Sequence, residues 1–262
     1  MSSLGTIFIT GSNRGIGLEF AKQYSLKNWD VIATCRNTNK AEELIELSKN
    51  NNNLSLMDLD ITNKDSVEEL ANKLDGKPID ILINNAAYLG PPEPQKFGQI
   101  DYNIFSESFE VNAIGPIRIT EKLINNVRKS DMKKIIFLGS GAGSITQIMP
   151  PVTLYSYRAS KAALHLVVNN LYHDLHSENI IVSLINPGMV DTRGFLDLKL
   201  GDPIPEHLTK MVPITLIKMI QEGKIPMITS LESVQNMMQY IDQLSIDTKP
   251  LFVNCDGTPM PW

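Results

Sequence analysis

Short apolar runs alternate with longer amphipathic stretches along most of this chain. Thr6–Thr10, Asp30–Cys35, Leu54–Leu59, Ile79–Ile83, Lys134–Leu138, Ile180–Ile185 and Leu251–Asn254 read as strands. Between them, Gly15–Lys27, Lys40–Lys49, Lys64–Leu74, Phe105–Arg128 and Leu154–His176 carry helical periodicity. The central runs, Ile81-Leu82-Ile83 and Ile135-Ile136-Phe137-Leu138, are continuously apolar, as suits strands covered on both faces. The repeated β-α-β order predicts an α/β fold: a single-domain Rossmann-type, doubly wound parallel sheet of about seven strands with helices on both faces. Residues 191–228 break the rhythm. They are rich in Pro, Gly, Leu, Ile and Met, with one helix expected near Pro213–Gln221. An apolar, irregular insert after the sixth strand is expected to act as a substrate lid.

The 262 residues suffice for one large domain with a sizeable core. The net charge of −5 comes without any Lys/Arg cluster, which argues against nucleic acid as a partner. No apolar run is long enough to cross a bilayer. The first strand starts within a few residues of Met1, so no leader peptide is expected. Cys35 and Cys255 make no disulfide framework and have no metal-ligand spacing, so a reducing, cytoplasmic compartment is expected. His165, His173, His176 and His207 form no metal-binding grouping, and no metal is expected.

Chemistry enters at two distant places. Thr10-Gly11-Ser12-Asn13-Arg14-Gly15-Ile16-Gly17 follows the first strand and opens the first helix. Glycines there let the backbone turn tightly and approach a pyrophosphate, which the free N–H groups of the helix start would hold. A dinucleotide fold places the adenine ribose at the end of the second strand. An acid would grip its 2′-hydroxyl, but the strand ends Thr34-Cys35-Arg36. Arginine forks suit a 2′-phosphate, so Arg14 and Arg36 predict NADP(H) over NAD(H). Downstream, Tyr157-Arg158-Ala159-Ser160-Lys161 puts a phenol and an ammonium four residues apart, on one face of a helix. An ammonium near a phenol favours phenolate and brings its pKa towards the working range. Tyr155 lacks such a partner, since Ala159 stands four residues on.

With these segments in order, the chain resembles the short-chain dehydrogenase/reductase family over nearly its whole length. Thr10–Gly17 is similar to the family's glycine signature, and Asp60-Ile61-Thr62 to its acidic position after the third strand, where adenine is held. Asn84-Asn85-Ala86-Ala87 resembles N-N-A-G with alanine for the glycine, and Tyr157–Lys161 resembles Y-x-x-x-K. Asn186-Pro187-Gly188-Met189-Val190-Asp191-Thr192 resembles the P-G segment, whose threonine contacts the nicotinamide carboxamide. The ending Asp256–Trp262 resembles the C-factor-like and sniffer-like branch of carbonyl reductases.

The resemblance implies that Gly11, Asn13, Arg14, Gly15, Ile16, Gly17, Arg36, Asp60, Ile61, Asn85, Ala86, Tyr157, Lys161, Pro187, Gly188, Val190 and Thr192 hold NADP(H). It implies that Tyr157 gives a proton to a carbonyl oxygen, that Lys161 binds the nicotinamide ribose, and that Asn112 anchors a water beside the lysine. It also requires a serine after the fifth strand. Ser140 directly follows the strand and is favoured, while Ser144 stands nearer the usual distance from the tyrosine. On that choice, residues through Met149-Pro150-Pro151 form a lengthened loop. The expected activity is an NADPH-dependent carbonyl reductase acting on a small ketone or aldehyde, or the matching alcohol. The alternative is an NADP-binding signalling or regulatory protein of C-factor type with little turnover. Phe195, Leu196, Leu198, Met211, Leu216 and Met219 are expected to shape an apolar pocket. Pairing through the helices around 105–128 and 154–176 is expected to give a homodimer or homotetramer.

Overall fold

The computed structural model describes residues 3–148, 153–249 and 251–262. The segment Met149-Pro150-Pro151, expected as a loop extension, lies outside the described residues. Strands β1 (Thr6–Thr10), β2 (Asp30–Cys35), β3 (Leu54–Asp58), β4 (Ile81–Asn84), β5 (Lys134–Leu138), β6 (Ile181–Asn186) and β9 (Phe252–Asn254) form one sheet, ordered β3-β2-β1-β4-β5-β6-β9. Every pairing in it is parallel. The order reverses between β1 and β4, and at such a switch point the loops diverge and leave a crevice above the strand ends.

Helices α1 (Gly15–Leu26), α2 (Glu42–Lys49) and α9 (Ser230–Gln243) cover one face. Phe20, Ala21 and Tyr24 of α1 pack there with Val234, Met237, Met238 and Ile241 of α9. Helices α3 (Lys64–Lys73), α5 (Gly115–Arg128) and α6 (Tyr155–His176) cover the other. Val67, Leu70, Ile119, Leu123, Val127, Leu164 and Val168 meet the sheet on that side. Central strand residues such as Ile7, Phe8, Ile9 and Leu82 are fully buried, which explains their unbroken apolar runs.

Two departures from the sequence reading stand out. Helix α9 was not anticipated, although Val234, Met237, Met238 and Ile241 repeat at helical spacing and Thr229 Oγ1 caps the start by accepting the Glu232 N–H at 3.1 Å. Met237 and Met238 are therefore core residues, with 0% and 2% exposure. The expected helix 105–128 begins earlier, as α4 (Tyr102–Phe109), and passes through a π turn at Glu110–Ile114 before α5. Asn112 sits inside that wider turn, and π turns concentrate at functional sites.

The irregular segment holds α7 (Glu206–Thr209), α8 (Ile214–Gln221) and a small ladder between β7 (Val190–Asp191) and β8 (Ile228–Thr229). Phe195, Leu208 and Ile217 form its own small core. At its root the Asp191 carboxylate accepts the N–H groups of Arg193, Gly194, Phe195 and Leu196 at 2.8–3.0 Å.

Candidate active site

The crevice over the switch point is a cleft of about 1040 Å³. Its floor at one end is the loop between β1 and α1. Gly11 and Gly15 have φ of +70° and +56°, a region that side chains disfavour. A Cβ on Gly17 would stand 2.3 Å from the Gly11 carbonyl oxygen and 2.5 Å from Asn85 Nδ2. No side chain caps the start of α1, so its first N–H groups face the cleft without a local acceptor. That combination, a close-packed glycine turn under free helix N–H groups, fits a pyrophosphate.

Asn13, Arg14, Gly15, Ile16 and Gly17 line this end with Asp60 and Ile61. Arg36 lines it too, joined by Asn37 and Lys40, two residues the sequence reading did not single out. Among the described residues, no carboxylate pairs with Arg14, Arg36 or Lys40. Asp60 Oδ1 holds its own turn, accepting the Thr62 N–H at 2.9 Å and hydroxyl at 2.7 Å. Arg118 secures the neighbouring wall by donating to the Ile61 carbonyl and to Glu110, each at 2.6 Å.

Asn85 and Ala86 line the cleft, and Asn85 also holds the glycine loop in place. Its Nδ2 donates to the carbonyls of Thr10 and Gly11 at 2.8 and 3.0 Å, while the N–H groups of Asn85 and Ala86 donate to Thr10 Oγ1. The side chain thus stitches the end of β4 to the glycine loop. From the later segment, Thr192 lines the cleft beside Gly15, whereas Pro187, Gly188 and Val190 lie outside its lining. The Pro187 carbonyl accepts the Ser233 hydroxyl at 2.7 Å, and Gly188 supplies a turn at φ +84°.

At the other end Tyr157 borders the cleft. The Ser140 side chain stands near enough to the Tyr157 hydroxyl to lower its pKa, while Ser140 Oγ accepts the Ala142 N–H at 3.2 Å, and Lys161 Nζ lies 6.0 Å from the centre of the Tyr157 ring. The structure therefore brings Ser140, Tyr157 and Lys161 together. Ser144 points elsewhere: its hydroxyl donates to the Trp262 carbonyl at 3.0 Å and accepts the Gln147 N–H at 3.1 Å. Tyr155 is 41% exposed at the start of α6, away from the cleft.

Electrostatically the group departs from the simple expectation. Burial raises the Tyr157 pKa above its ordinary value, against a smaller lowering by Ser140. Burial also brings Lys161 down to about 8. The Lys161 ammonium donates to the Leu138 carbonyl at 2.8 Å, and no carboxylate among the described residues pairs with it. One hydrogen bond leaves an ammonium with donor capacity for ribose hydroxyls.

Asn112 is fully buried, and its amide is already engaged. Oδ1 accepts the Tyr88 N–H at 2.7 Å; Nδ2 donates to the Tyr88 carbonyl at 2.7 Å and to Ser160 Oγ at 2.9 Å. The side chain locks the loop after β4 against α6 rather than presenting a free amide.

Two buried side chains went unrecognised in the sequence. Gln95 Oε1 accepts the Tyr157 N–H at 3.0 Å, and Nε2 donates to the carbonyls of Leu89 and Pro91 at 2.7 and 2.9 Å. His165, one turn after Lys161, accepts the Ser140 N–H at Nε2, at 3.3 Å. Neither shows a local pattern, because each acts on a segment remote in sequence. Of the apolar residues expected in the pocket, Met211 lines the cleft, whereas Phe195 is turned inward to the segment's own core.

Comparison with known proteins places this geometry. The short chain dehydrogenase family model matches residues 5–199, and the chain belongs to that family. Within it, the NADPH-bound carbonyl reductase from chicken fatty liver superposes with a TM-score of 0.79 at 26% identity, covering all of both chains. The carbonyl reductase Sniffer of D. melanogaster gives the same TM-score and identity over 98% of this chain and 99% of that one. The C-signal of Myxococcus xanthus is 29% identical over 185 residues, 71% of this chain and 93% of that protein. By family, the protein is an oxidoreductase.

Proposed function

We propose that this protein is an NADPH-dependent carbonyl reductase. The observation that carries the reading is that Ser140 and Lys161 gather about Tyr157, which borders a cleft whose other end is a glycine cradle edged by cations that no carboxylate among the described residues pairs. NADPH, when bound, supplies the hydride that the carbonyl carbon accepts. The glycine loop and the start of α1 hold its phosphates, and Arg14 and Arg36, with Lys40, favour the 2′-phosphate over a bare ribose. Ser140 donates a hydrogen bond to the substrate oxygen, and Tyr157 passes its proton to that oxygen. Lys161 holds ribose hydroxyls and favours the phenolate that results. Asn112 keeps α6 and the loop after β4 in register, so its part in proton supply is one of placement.

Residues 191–228, rooted at Asp191 and bringing Met211 to the cleft, serve as the substrate lid. The substrate is a small, moderately apolar, non-anionic ketone or aldehyde. We assign a cytoplasmic location, in keeping with free, buried Cys35 and Cys255. No helix among the described residues is long and apolar enough to cross a membrane. We assign self-association to the face formed by α6 and the π turn that leads into α5, where Leu166 and Ile114 are 63% and 44% exposed.

The likeness to C-signal favours one second reading, a nucleotide-binding regulatory protein with little turnover. NADPH absorbance followed over quinones, isatin-like diketones and aldehydes separates the two. Turnover that disappears in Tyr157→Phe supports the reductase. Tight NADPH binding without oxidation across that panel supports the regulator.

A further inference from the structure

The loop after β5, Gly139-Ser140-Gly141-Ala142-Gly143, lies directly on α6, and one imidazole fills the junction. His165 is 3% exposed. A Cβ on Gly143 would come within 2.7 Å of its Cε1, and one on Gly139 within 3.1 Å of its Nε2. Its far side is closed by aromatic rings, Phe252 at 4.5 Å and Trp262 at 6.4 Å between centroids. Trp262 holds the next stretch of the loop through its carbonyl, which accepts the N–H groups of Ile145 and Thr146 at 3.0 and 2.7 Å.

Nε2 accepts the Ser140 N–H, so the ring must be neutral with its proton on Nδ1. Burial, aided by the Lys161 charge, depresses the His165 pKa to about 3, and the acceptor persists at any physiological pH. Nδ1 is buried and has no partner in the described structure. A polar ring kept in such a place at the cost of an unsatisfied nitrogen needs a reason beyond packing.

We propose that His165 is a positioning residue for Ser140. It fixes the backbone from which the serine hydroxyl reaches Tyr157 and the substrate oxygen. The inference rests on the reading of Ser140 as the residue that orients the carbonyl. Because Lys161 and His165 share one face of α6, a single helix sets the tyrosine, the lysine and the serine relative to one another.

The test compares His165→Leu with His165→Gln, whose amide oxygen can take the place of Nε2, using NADPH and isatin as probes. His165→Leu is expected to lower kcat about tenfold to a hundredfold, the scale of a roughly 1 Å misplacement, with NADPH Kd within about twofold of wild type. His165→Gln is expected to recover most of the loss. Hydrogen exchange of residues 139–144, which needs no turnover, is expected to quicken in the leucine variant and slow again in the glutamine variant. In the Ser140→Ala background, His165→Leu should cost little more. Should His165→Leu fail to fold, His165→Asn replaces it, being polar but too short to reach the Ser140 N–H. Wild-type kcat and exchange in His165→Leu, or a glutamine variant as impaired as leucine, overturns the inference. Ser140→Ala with wild-type turnover overturns instead the reading of Ser140; an impaired Ser140→Ala beside an unimpaired His165→Leu overturns only the role given to His165.

Discussion

Two helices begin at the rim of the cleft, and neither carries a side-chain cap of its own. At α1 the first N–H groups stay open above a glycine turn. At α6 the chain closes the turn at Tyr157 itself: Gln95 reaches from 62 residues away to accept the Tyr157 N–H. Free helix N–H groups act as an anion site only where nothing in the protein satisfies them. The open end suits a ligand that comes and goes. The closed end suits a side chain that must stay still, since proton transfer tolerates little error in placement.

The two helix ends differ most sharply at Tyr157. Tyr157→Phe keeps the ring and its packing but removes the proton, so kcat/KM is expected to fall about 10²–10⁴-fold while NADPH binding, measured by fluorescence titration, holds. Gly17→Ala attacks the open end instead. Its methyl would meet the Gly11 carbonyl oxygen at 2.3 Å, and the shift required is expected to cost about 1–3 kcal/mol of stability. Thermal unfolding and a weakened NADPH Kd would register it.

Gln95→Met fills the same space without polar atoms. It strands the Tyr157 N–H and two carbonyls, for an expected loss of about 1–3 kcal/mol per buried group left unpaired. Its turnover should fall while NADPH affinity holds, the reverse of Arg36→Ala. Arg36 is exposed, so its alanine variant is expected to shift the NADPH-to-NADH preference by about tenfold with no change in Tm. Equal NADPH losses in both variants would show that the two ends are not separate.

The smallest signal is a slope. In the unfolded chain the Lys161 amine titrates near its ordinary value; in the folded protein burial lowers it to about 8. Between those values the unfolded state binds the extra proton, so stability of the nucleotide-free protein should rise with pH above about 8 and level off near the unfolded value. Urea titrations across that window should show the rise in wild type and its loss in Lys161→Met.

Much of this is legible in the amino-acid sequence. The strands came from unbroken apolar runs, and the cradle from glycines placed after the first of them. Helix α9 was missed although Val234, Met237, Met238 and Ile241 carried its period, because the irregular stretch before it obscured where regular structure resumed. The two serines were distinguished by their partners: Ser140 meets Tyr157, while Ser144 is held by Trp262, 118 residues away.

Local rules set what the sequence determined by itself: strand and helix periodicity, the turn that only glycine permits, and the four-residue spacing of Tyr157 and Lys161. Tertiary structure alone decided which groups are buried and which distant atoms satisfy them. Gln95 on Tyr157, His165 on Ser140, and Asn85 on Thr10 and Gly11 join segments through one or a few hydrogen bonds each. Desolvation there raised the phenol and lowered the amine, because the cost of burying a charge depends on surroundings that the chain acquires only when it folds.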